Sequence, residues 1–385
     1  MPCESWSSVS NKSTMSNNPF LQLSGNPKWE NLTPDHIRGD ITEALETAES
    51  NLQKIRDLQP VETTFANTVK ALEHASYELY YAWGLVTHLD SVCNSPELRE
   101  AHNEMLPAVS TFGAKITLDP QLWNALQAFS KSEEASALNS IDHRLLDETL
   151  RDFKEAGADL PQDQRSRLEE ISQELAQVTQ KFSEQVLDAT NEWKLVVNEE
   201  DKLKGLPETA KEAARQTAIE KLGEEEGKDV WVFTLQTPSM LPVLQYLEDD
   251  GIRKEVWSAS DSLCVNAPYE NEPLIRQIIK LRQEKAQILG KENFADAVLS
   301  RRMAQNGEKA DNFVSELREK TDPFFQRENK ELEEFKAEKT GKPCDALEPW
   351  EVGFWSEKLK KERYDFDDED LRPYFPIQSV LEGMF

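Results

Sequence analysis

The chain is poor in cysteine. Its 385 residues include only Cys3, Cys93, Cys264 and Cys344, which lie far apart and form no CxxC pair. Closely spaced cysteines mark both the disulfide frameworks of small secreted proteins and cysteine-based zinc sites. Because that spacing is missing, we expect unpaired thiols in a reducing compartment.

Long apolar runs and an excess of positive charge are also missing. The longest apolar run is Leu79–Val86, which is far shorter than the ~20 residues that cross a bilayer. Residues 1–18 contain no apolar core of a secretory signal. The 44 basic and 72 acidic side chains leave a net charge of −28, which repels nucleic-acid phosphates and anionic membranes. We therefore predict a cytoplasmic protein that binds neither nucleic acid nor membranes.

Histidine, the residue that most often carries catalysis, is scarce. None of the five histidines belongs to an HExxH motif; they are His36, His74, His88, His102 and His143. In that motif two imidazoles one helical turn apart bind zinc, and the glutamate acts as general base. His74 and Glu78 lie one turn apart, but a zinc site usually needs three protein ligands. We therefore expect these two residues to play no metal-binding role.

Two acidic segments imitate binding motifs. Gly223–Asp229 resembles a phosphate-binding loop that is one residue short, and its three glutamates would repel phosphate. Asp365–Leu371 lacks the glycine and the final glutamate of a calcium loop, and acidic residues favour the start of a helix. We expect a solvated loop and a helix start. The sequence thus identifies no catalytic residue, no metal ligand and no substrate-binding residue.

Most of the chain has the apolar spacing of helices. Three cap-and-proline pairs predict helix starts at Thr33–Pro34, Ser95–Pro96 and Asp119–Pro120. Residues from Val69 to Val86 step by three and four, as in a seam between helices. One apolar stripe from Leu168 to Trp193 predicts a single long helix, part of an antiparallel helical arm.

One small β element interrupts the helices. Leu195–Val197 and Val230–Leu235 are rich in β-branched and aromatic residues and could pair. The predicted fold is therefore mainly α, with a multi-helix N-terminal domain, long antiparallel helices and one small β element.

The two ends of the chain carry separate expectations. Residues 1–17 have no pattern, so we expect a disordered tail, or a segment upstream of a true start at Met15. After Pro376 an amphipathic helix begins, and no stop signal follows it before Phe385. We expect the native protein to continue beyond this point.

Four segments, in chain order, resemble parts of one family, the thimet oligopeptidase / oligopeptidase A family of zinc peptidases. "LPQDQRSRLEEISQELAQVTQKFSEQVLDAT" resembles the long helix of its N-terminal domain, and "TLQTPSMLPVLQYLEDDGIRKEVW" its strand-then-helix entry to the peptidase domain. "NEPLIRQIIKLRQEKAQILGKENFADAVLSRRMA" resembles a helix pair, and "LEPWEVGFWSEKLKKERYDFDDEDLRPYFP" the segment before the active site. The bacterial oligopeptidase A branch is the most similar in appearance. Glu351 and Trp355 stand where the family usually has Asp and often has Tyr.

The resemblance implies a function and a division into domains. Residues 18–229 would be the helical oligopeptidase N-terminal domain, and residues 230–385 the start of a helical zinc-peptidase domain, cut before its active site. In the family, HExxH and a later glutamate hold the catalytic zinc, and the N-terminal helices form one wall of a channel for short, unfolded peptides. The full-length protein would be a monomeric zinc-dependent oligopeptidase. Residues 1–385 alone are expected to be inactive, because HExxH and the later ligand are absent from them.

A second interpretation fits the same residues. The chain could be a catalytically inactive, truncated helical protein that binds peptides or a protein partner. Amphipathic helices suit both interpretations, so the sequence leaves both open.

Overall fold

The computed structural model describes residues 18–23, 25–343, 346–366 and 368–384. The predicted tail at residues 1–17, with the start proposed at Met15, lies outside the described residues, as does Phe385. Within the described part, contacts define two compact units. Unit 1 contains the residues up to Gln180 together with Gln277–Ser300, and unit 2 contains Lys181–Arg276 and the residues from Arg301 onward. The predicted domain limit at residues 229/230 stays a prediction.

The prediction of a mainly α fold is confirmed. The first helices are α1 (Pro34–Arg56), α2 (Ala71–Ala75), α3 (Tyr77–Val92), α4 (Pro96–Leu118), α5 (Pro120–Ser130), α6 (Glu133–Ser136), α7 (Ser140–Ala156) and α8 (Gln162–Glu192). They are followed by α9 (Glu208–Leu222), α10 (Glu224–Gly227), α11 (Thr237–Tyr246), α12 (Asp250–Asp261), α13 (Glu272–Ile288) and α14 (Phe294–Leu299). The last are α15 (Gly307–Thr340), α16 (Pro349–Tyr364) and α17 (Ile377–Met384). Short 3₁₀ helices and one π-helix, Phe65–Lys70, link some of them.

The predicted strand pair is confirmed in unit 2. Strand β1 (Leu195–Val197) pairs antiparallel with β2 (Trp231–Phe233), with Leu195 opposite Phe233. The acidic segment between the strands folds back as α9 and α10. The segment Gly223–Asp229, expected as a loop, therefore contains the short helix α10, and the backbone of Gly227 packs so closely on Ala218 that a Cβ would not fit.

The three predicted helix starts are confirmed, with Thr33, Ser95 and Asp119 as N-caps, and two of these residues also form a side-chain cap bond. Ser95 accepts the N–H of Leu98, and the carboxylate of Asp119 accepts the N–H groups of Gln121 and Leu122. Thr33 makes no such bond, because its hydroxyl lies 2.8 Å from Nδ1 of His36 instead. The predicted helix Val69–Val86 is also interrupted, since a π-helix precedes α2 and the backbone leaves the helical region at Ser76.

Helix α1 joins two cores of unit 1. Its first half packs with α3 and α4 through Ile37, Ile41, Ala44 and Ala48, all of which are buried. Its second half contributes Leu52 and Ile55 to a cluster with residues of α5 and α7. One helix with a single apolar stripe therefore organises both ends of this unit.

The turn between α7 and α8 requires glycine. Gly157 has a φ of +105°, and a Cβ there would lie 2.8 Å from a methyl carbon of Leu168. The N–H of Ala158 donates to the carbonyl of Phe153. This hydrogen bond is typical of a helix that ends at a glycine. This turn fixes where α8 begins.

Buried charges organise part of unit 2. The guanidinium of Arg253 lies 4.1 Å from the ring centre of Phe354 and donates to the carbonyls of Leu247 and Glu248. Glu351, only 8% exposed, accepts two hydrogen bonds of 2.6–2.7 Å from Nζ of Lys336. Burial raises the pKa of Glu351, but the hydrogen bonds from Lys336 and from the backbone outweigh this effect and lower it. Glu351 thus has a structural role where the family usually has the shorter Asp.

The expectation of unpaired thiols is wrong at Cys93, which is disulfide-bonded, whereas Cys264 is a free thiol. None of the described helices combines the length and apolar composition that a bilayer crossing requires.

Breaking the buried pair should unfold unit 2 more easily. We expect Lys336→Met to lower the free energy of unfolding by about 3 kcal/mol, because it leaves a buried carboxylate without its cation. The double variant Lys336→Met/Glu351→Gln should recover most of this loss, since glutamine is uncharged and can still accept the N–H of Glu348. Urea unfolding of both variants checks the prediction, which fails if the single variant costs under about 0.5 kcal/mol.

A second ion pair predicts a pH dependence. Arg167 donates two hydrogen bonds to the carboxylate of Glu284, of 2.6 and 3.0 Å, which lower the pKa of Glu284. This stabilisation is therefore present above the ordinary glutamate pKa of about 4.3 and is lost as the pH falls below it. Both side chains are about a third exposed, so Glu284→Gln should cost only about 1 kcal/mol at neutral pH.

Thermal unfolding from pH 3 to pH 8 measures this contribution. The difference between the wild-type chain and Glu284→Gln should shrink towards zero at the acidic end. Glu170→Gln removes a single, more exposed bond to the same arginine and is the matched control, for which we expect a smaller effect. A difference that is constant with pH would show that the ion pair is not its cause.

Candidate functional site

The histidines of the described residues occupy structural positions. His102 is buried and stacks on Trp83 with ring centres 4.8 Å apart, and His143 bonds the carboxylate of Asp147. His74 is exposed near the end of α2, and Glu78 lies on α3 beyond the break at Ser76. Across residues 18–23, 25–343, 346–366 and 368–384, no three His, Cys, Asp or Glu side chains are grouped so that they could hold a metal ion. The described residues therefore do not fit a zinc site.

A cavity of about 900 Å³ lies in unit 1. Helices α1, α4 and α8 form its walls, and each contributes a stretch of about three turns. Half-buried apolar side chains form part of the lining, namely Leu45, Phe112 and Ile116, with the buried Leu52 and Leu118 beside them. Small-ligand sites typically enclose about 300–1,000 Å³ and combine apolar walls with a few polar groups. In volume and lining the cavity is comparable to such sites.

Two cations on the cavity wall are already paired. Arg56 donates to Asp119 at 2.7 Å and to Glu49 at 2.6 Å. Burial lowers the pKa of Arg56, but these two carboxylates outweigh burial and raise it. Lys115 lies 3.4 Å from the carboxylate of Glu169 on α8. These pairs neutralise most of the charge on the wall and hold the helices that form it.

Arg165 is the cation without an acidic partner. Its guanidinium donates to the carbonyls of Ala158 and Leu160 and to the side-chain oxygen of Gln162, all of which are neutral. Its Nε is buried and has no hydrogen-bond partner among the described residues. The glycine turn before α8 places the two carbonyls, and thereby fixes the position of this arginine.

Glu46 is a solvated carboxylate of the wall. It lies on the exposed side of α1 and lines the cavity, and it makes neither an ion pair nor a hydrogen bond with any described residue. The other carboxylates of the wall, Glu49, Asp119 and Glu169, are all paired, but Glu49 and Asp119 share Arg56. The wall therefore has more carboxylates than cations.

A different kind of surface occurs on α15 in unit 2. Its apolar residues follow one stripe, which is buried at its C-terminal end and exposed at its N-terminal end. Leu332 and Phe335 are buried against Phe354 and Trp355 of α16. The N-terminal part is exposed and consists of Phe313, Val314, Leu317, Phe324 and Phe325. We call these five residues the open stripe. Phe324 and Phe335 are eleven residues apart, close to three full turns, so they point to nearly the same side of the helix.

Helix α17 also has an uncovered apolar face. Ile377, Val380, Leu381 and Met384 are all exposed on it, as are Tyr374 and Phe375 just before it. Scattered exposed apolar residues are normal, but contiguous apolar patches mark sites of contact. The open stripe and the apolar face of α17 therefore both have the character of contact sites.

Comparison with known proteins relates this helical chain to a family of peptidases. Residues 243–385 match the model of "Peptidase family M3", and residues 41–165 match that of "Neurolysin/Thimet oligopeptidase, N-terminal domain". The two matches follow the chain order that the sequence resemblance implies. The chain belongs to the thimet oligopeptidase / oligopeptidase A family, as the resemblance indicated.

Three curated relatives match almost the whole chain. It is 33% identical to "Probable cytosolic oligopeptidase A" of Arabidopsis thaliana, over 98% of the chain and 54% of the relative. "Oligopeptidase A" of Haemophilus influenzae is 33% identical over 96% of the chain and 54% of the relative. "Organellar oligopeptidase A, chloroplastic/mitochondrial" of Arabidopsis thaliana is 32% identical over 98% of the chain and 48% of the relative. The chain thus spans about half the length of these relatives.

Sequence reasoning missed both surfaces. Glu46 and Arg165 look like ordinary charged residues on amphipathic helices, and only the packing of α1, α4 and α8 brings them to one cavity. The open stripe did carry a signal, because Phe313, Leu317 and Phe324 recur at helical spacing within a highly charged segment. Spacing alone does not reveal which part of such a stripe is covered.

Phe335 and Phe324 lie on the same stripe of α15, one packed and one exposed, so their alanine variants form a matched comparison. Phe335 is 8% exposed and Phe324 is 55% exposed. We expect Phe335→Ala to cost about 3 kcal/mol of unfolding free energy, because it empties a packed site. Phe324→Ala should change stability by less than about 0.5 kcal/mol and should lower the binding of an apolar fluorescent dye.

Urea unfolding and dye titration of the purified chain measure both effects. If Phe324→Ala destabilises the chain as strongly as Phe335→Ala, the open stripe is packed in solution. That result would contradict the exposure described here.

Proposed function

We propose that this chain is the N-terminal portion of a zinc-dependent oligopeptidase that hydrolyses short, unfolded peptides in peptide turnover. The single observation that carries the proposal is the ordered pair of family matches, at residues 41–165 and 243–385. Relatives named oligopeptidase A support it further. The described residues offer no metal-binding group, so we assign them no step of hydrolysis and expect the zinc ligands elsewhere in a longer protein.

The proposed role of the chain is to supply helical wall to the substrate channel. Residues 18–229 would form the helical N-terminal domain, and residues 230–385 the start of the peptidase domain. The 31-residue helix α8 and the mainly helical content of the preceding residues are compatible with such a wall. Residues that line the channel are not assigned by this proposal.

The uncovered apolar faces fit a longer protein. We propose that peptidase residues outside this chain pack on the open stripe and on α17. The length of the relatives supports this proposal, because the chain spans 54% of two of them. Residues 1–385 alone would then be inactive and would tend to aggregate through these faces.

Location and partners follow from charge and from the family. We propose a cytoplasmic protein, monomeric at full length, whose partners are short peptides. The net charge of −28 opposes binding to nucleic acid and to anionic membranes. One relative is named as cytosolic and another as organellar, so the relatives by themselves favour neither compartment.

One observation favours a second candidate function. The unit 1 cavity has a partly apolar lining and the volume of a small-ligand site, whereas no metal-binding group occurs among the described residues. A catalytically inactive helical protein that binds peptides or a protein partner would have this combination.

The mass of the native protein is the first measurement that separates the two functions. An antibody against residues 160–193 should detect a band well above 44.0 kDa in cells that express the protein. That longer protein should contain zinc, cleave a fluorogenic peptide, lose activity with a chelator and regain it with zinc. The purified chain of residues 1–385 is the control and should cleave nothing. A native band at 44.0 kDa would contradict the oligopeptidase proposal and favour the binding protein.

A further inference from the structure

We propose that a cavity in unit 2 binds a phosphate group, either as inorganic phosphate or as part of a small phosphate monoester. The cavity measures about 340 Å³ and lies among the end of α8, the helix α9 and the start of α11. All of its lining residues belong to unit 2. The family matches assign no ligand to this cavity, and the inference does not depend on the proposed hydrolysis.

The wall of the unit 2 cavity is positively charged, although the chain as a whole is strongly acidic. The sequence contains 72 acidic side chains, yet none of the described residues that line the cavity is Asp or Glu, and the cation among them is Lys221. Its ammonium donates to the backbone carbonyl of Asn191 at 3.1 Å and makes no ion pair with any described residue. An ammonium has three N–H groups, so Lys221 keeps both its charge and further donors for a ligand.

Two hydroxyl groups on the wall can also donate to a ligand. Oγ of Ser239 accepts the N–H of Thr234 at 3.0 Å, and Oγ1 of Thr234 accepts the N–H of Gln236 at 3.4 Å. Each hydroxyl has an O–H donor as well, and neither donates to a described residue. Thr234 is only 5% exposed, and a buried donor without an acceptor is costly. An oxygen atom of a ligand in the cavity would supply that acceptor.

Asn191 holds two of the donors beside each other. Its backbone carbonyl accepts from Lys221, and its side-chain Oδ1 accepts from the amide of Gln236 at 2.8 Å. The amide of Gln236 has a second N–H that this bond does not use. Residues of the first turn of α11 also line the cavity, and no side chain caps that helix. The start of a helix favours an anion, so it adds to the effect of the lysine.

The placement of the donors favours a phosphate over a carboxylate. They come from three elements: Lys221 from α9, Thr234 from the segment after β2, and Ser239 from α11. A carboxylate has two oxygens in one plane, whereas a phosphate group has three acceptor oxygens that point in different directions. Ala214 and Pro238 form part of the remaining wall. Since small-ligand sites begin at about 300 Å³, a small organic group would fit beside the phosphate.

The net charge of the chain opposes this binding only at long range. The charge of −28 repels an approaching anion, but at physiological ionic strength charges are screened beyond about 8 Å. Inside the cavity the nearest groups therefore decide, and these are donors. We expect a modest affinity, with a dissociation constant of about 1 mM or lower.

Calorimetric titration of the purified chain tests the proposal with inorganic phosphate, glycerol 3-phosphate and acetate, at neutral pH and constant ionic strength. We expect phosphate to bind at least tenfold more tightly than acetate. If glycerol 3-phosphate binds several times more tightly than phosphate, the ligand is a monoester; if it binds equally or more weakly, the ligand is the free ion. No binding of either phosphate compound at about 10 mM, or equal binding of acetate, would overturn the proposal.

Substitutions assign the binding to the cavity. Lys221→Met should weaken phosphate about tenfold, because it removes the only charge–charge attraction, and Ser239→Ala should weaken it by a smaller factor. Lys211→Met is the matched control, since Lys211 lies on the same helix, is paired with Glu208 and does not line the cavity. Its affinity for phosphate should be unchanged. If both lysine variants weaken phosphate equally, the assignment to the cavity is wrong.

Lys221 also binds the end of α8, so its loss could loosen that helix. Lys221→Arg keeps the charge and is the second variant, for which we expect phosphate binding within about threefold of the wild-type chain. Phosphate should raise the melting temperature of the wild-type chain and of Lys221→Arg, but not that of Lys221→Met. If Lys221→Met melts at a lower temperature while phosphate has no effect on the wild-type chain, the lysine only holds α8 and the proposal fails. These measurements involve no cleavage, so their failure leaves the proposed hydrolysis unaffected.

Discussion

Helices α1 and α15 each have one apolar stripe, and the fold depends on how it is covered. A helix in water is marginally stable by itself, and most of its stability comes from packing an amphipathic face. In unit 1, α1 covers its stripe twice, against α3 and α4 at one end and against α5 and α7 at the other. In unit 2, α15 covers only the end that carries Leu332 and Phe335. The packed parts of these stripes therefore hold the fold together, and the exposed part of α15 is left for contacts with other residues.

Charged side chains that pack among the helices are held in place by hydrogen bonds to neutral groups as well as by ion pairs. Arg253 is 3% exposed, and it satisfies the carbonyls at the end of α11 while its guanidinium lies on Phe354. Burial lowers the pKa of Arg253, against the opposing effect of Asp250 and Glu351. Arg165 likewise donates to the carbonyls of a turn, and no carboxylate among the described residues is bonded to it, whereas Asp250 is bonded to Arg253. Each arginine thereby holds the backbone of a turn beside a helix.

The sequence predicted what is local and missed what depends on packing. The long helix α8, the strand pair and the caps at Ser95 and Asp119 follow from spacing and residue type, because these features depend on near neighbours in the chain. The break at Ser76 and the loss of the Thr33 cap depend on contacts that spacing does not encode. The cavity could not be predicted for the same reason, since three helices from distant parts of the chain form it. The family was predicted correctly from four segments that follow one another in the order of the family.

The two uncovered features differ in chemistry, and this difference indicates what would cover each. The open stripe is apolar and continuous with a packed helix face, so covering it calls for another apolar surface, which a longer chain would provide without the translational and rotational cost of binding a separate partner. The unit 1 cavity instead has charged side chains on its wall, where Glu49 and Asp119 pair with Arg56 and Glu169 pairs with Lys115. An apolar surface placed there would take these charges out of water, which is costly. An apolar protein segment is thus a better occupant for the open stripe than for the cavity.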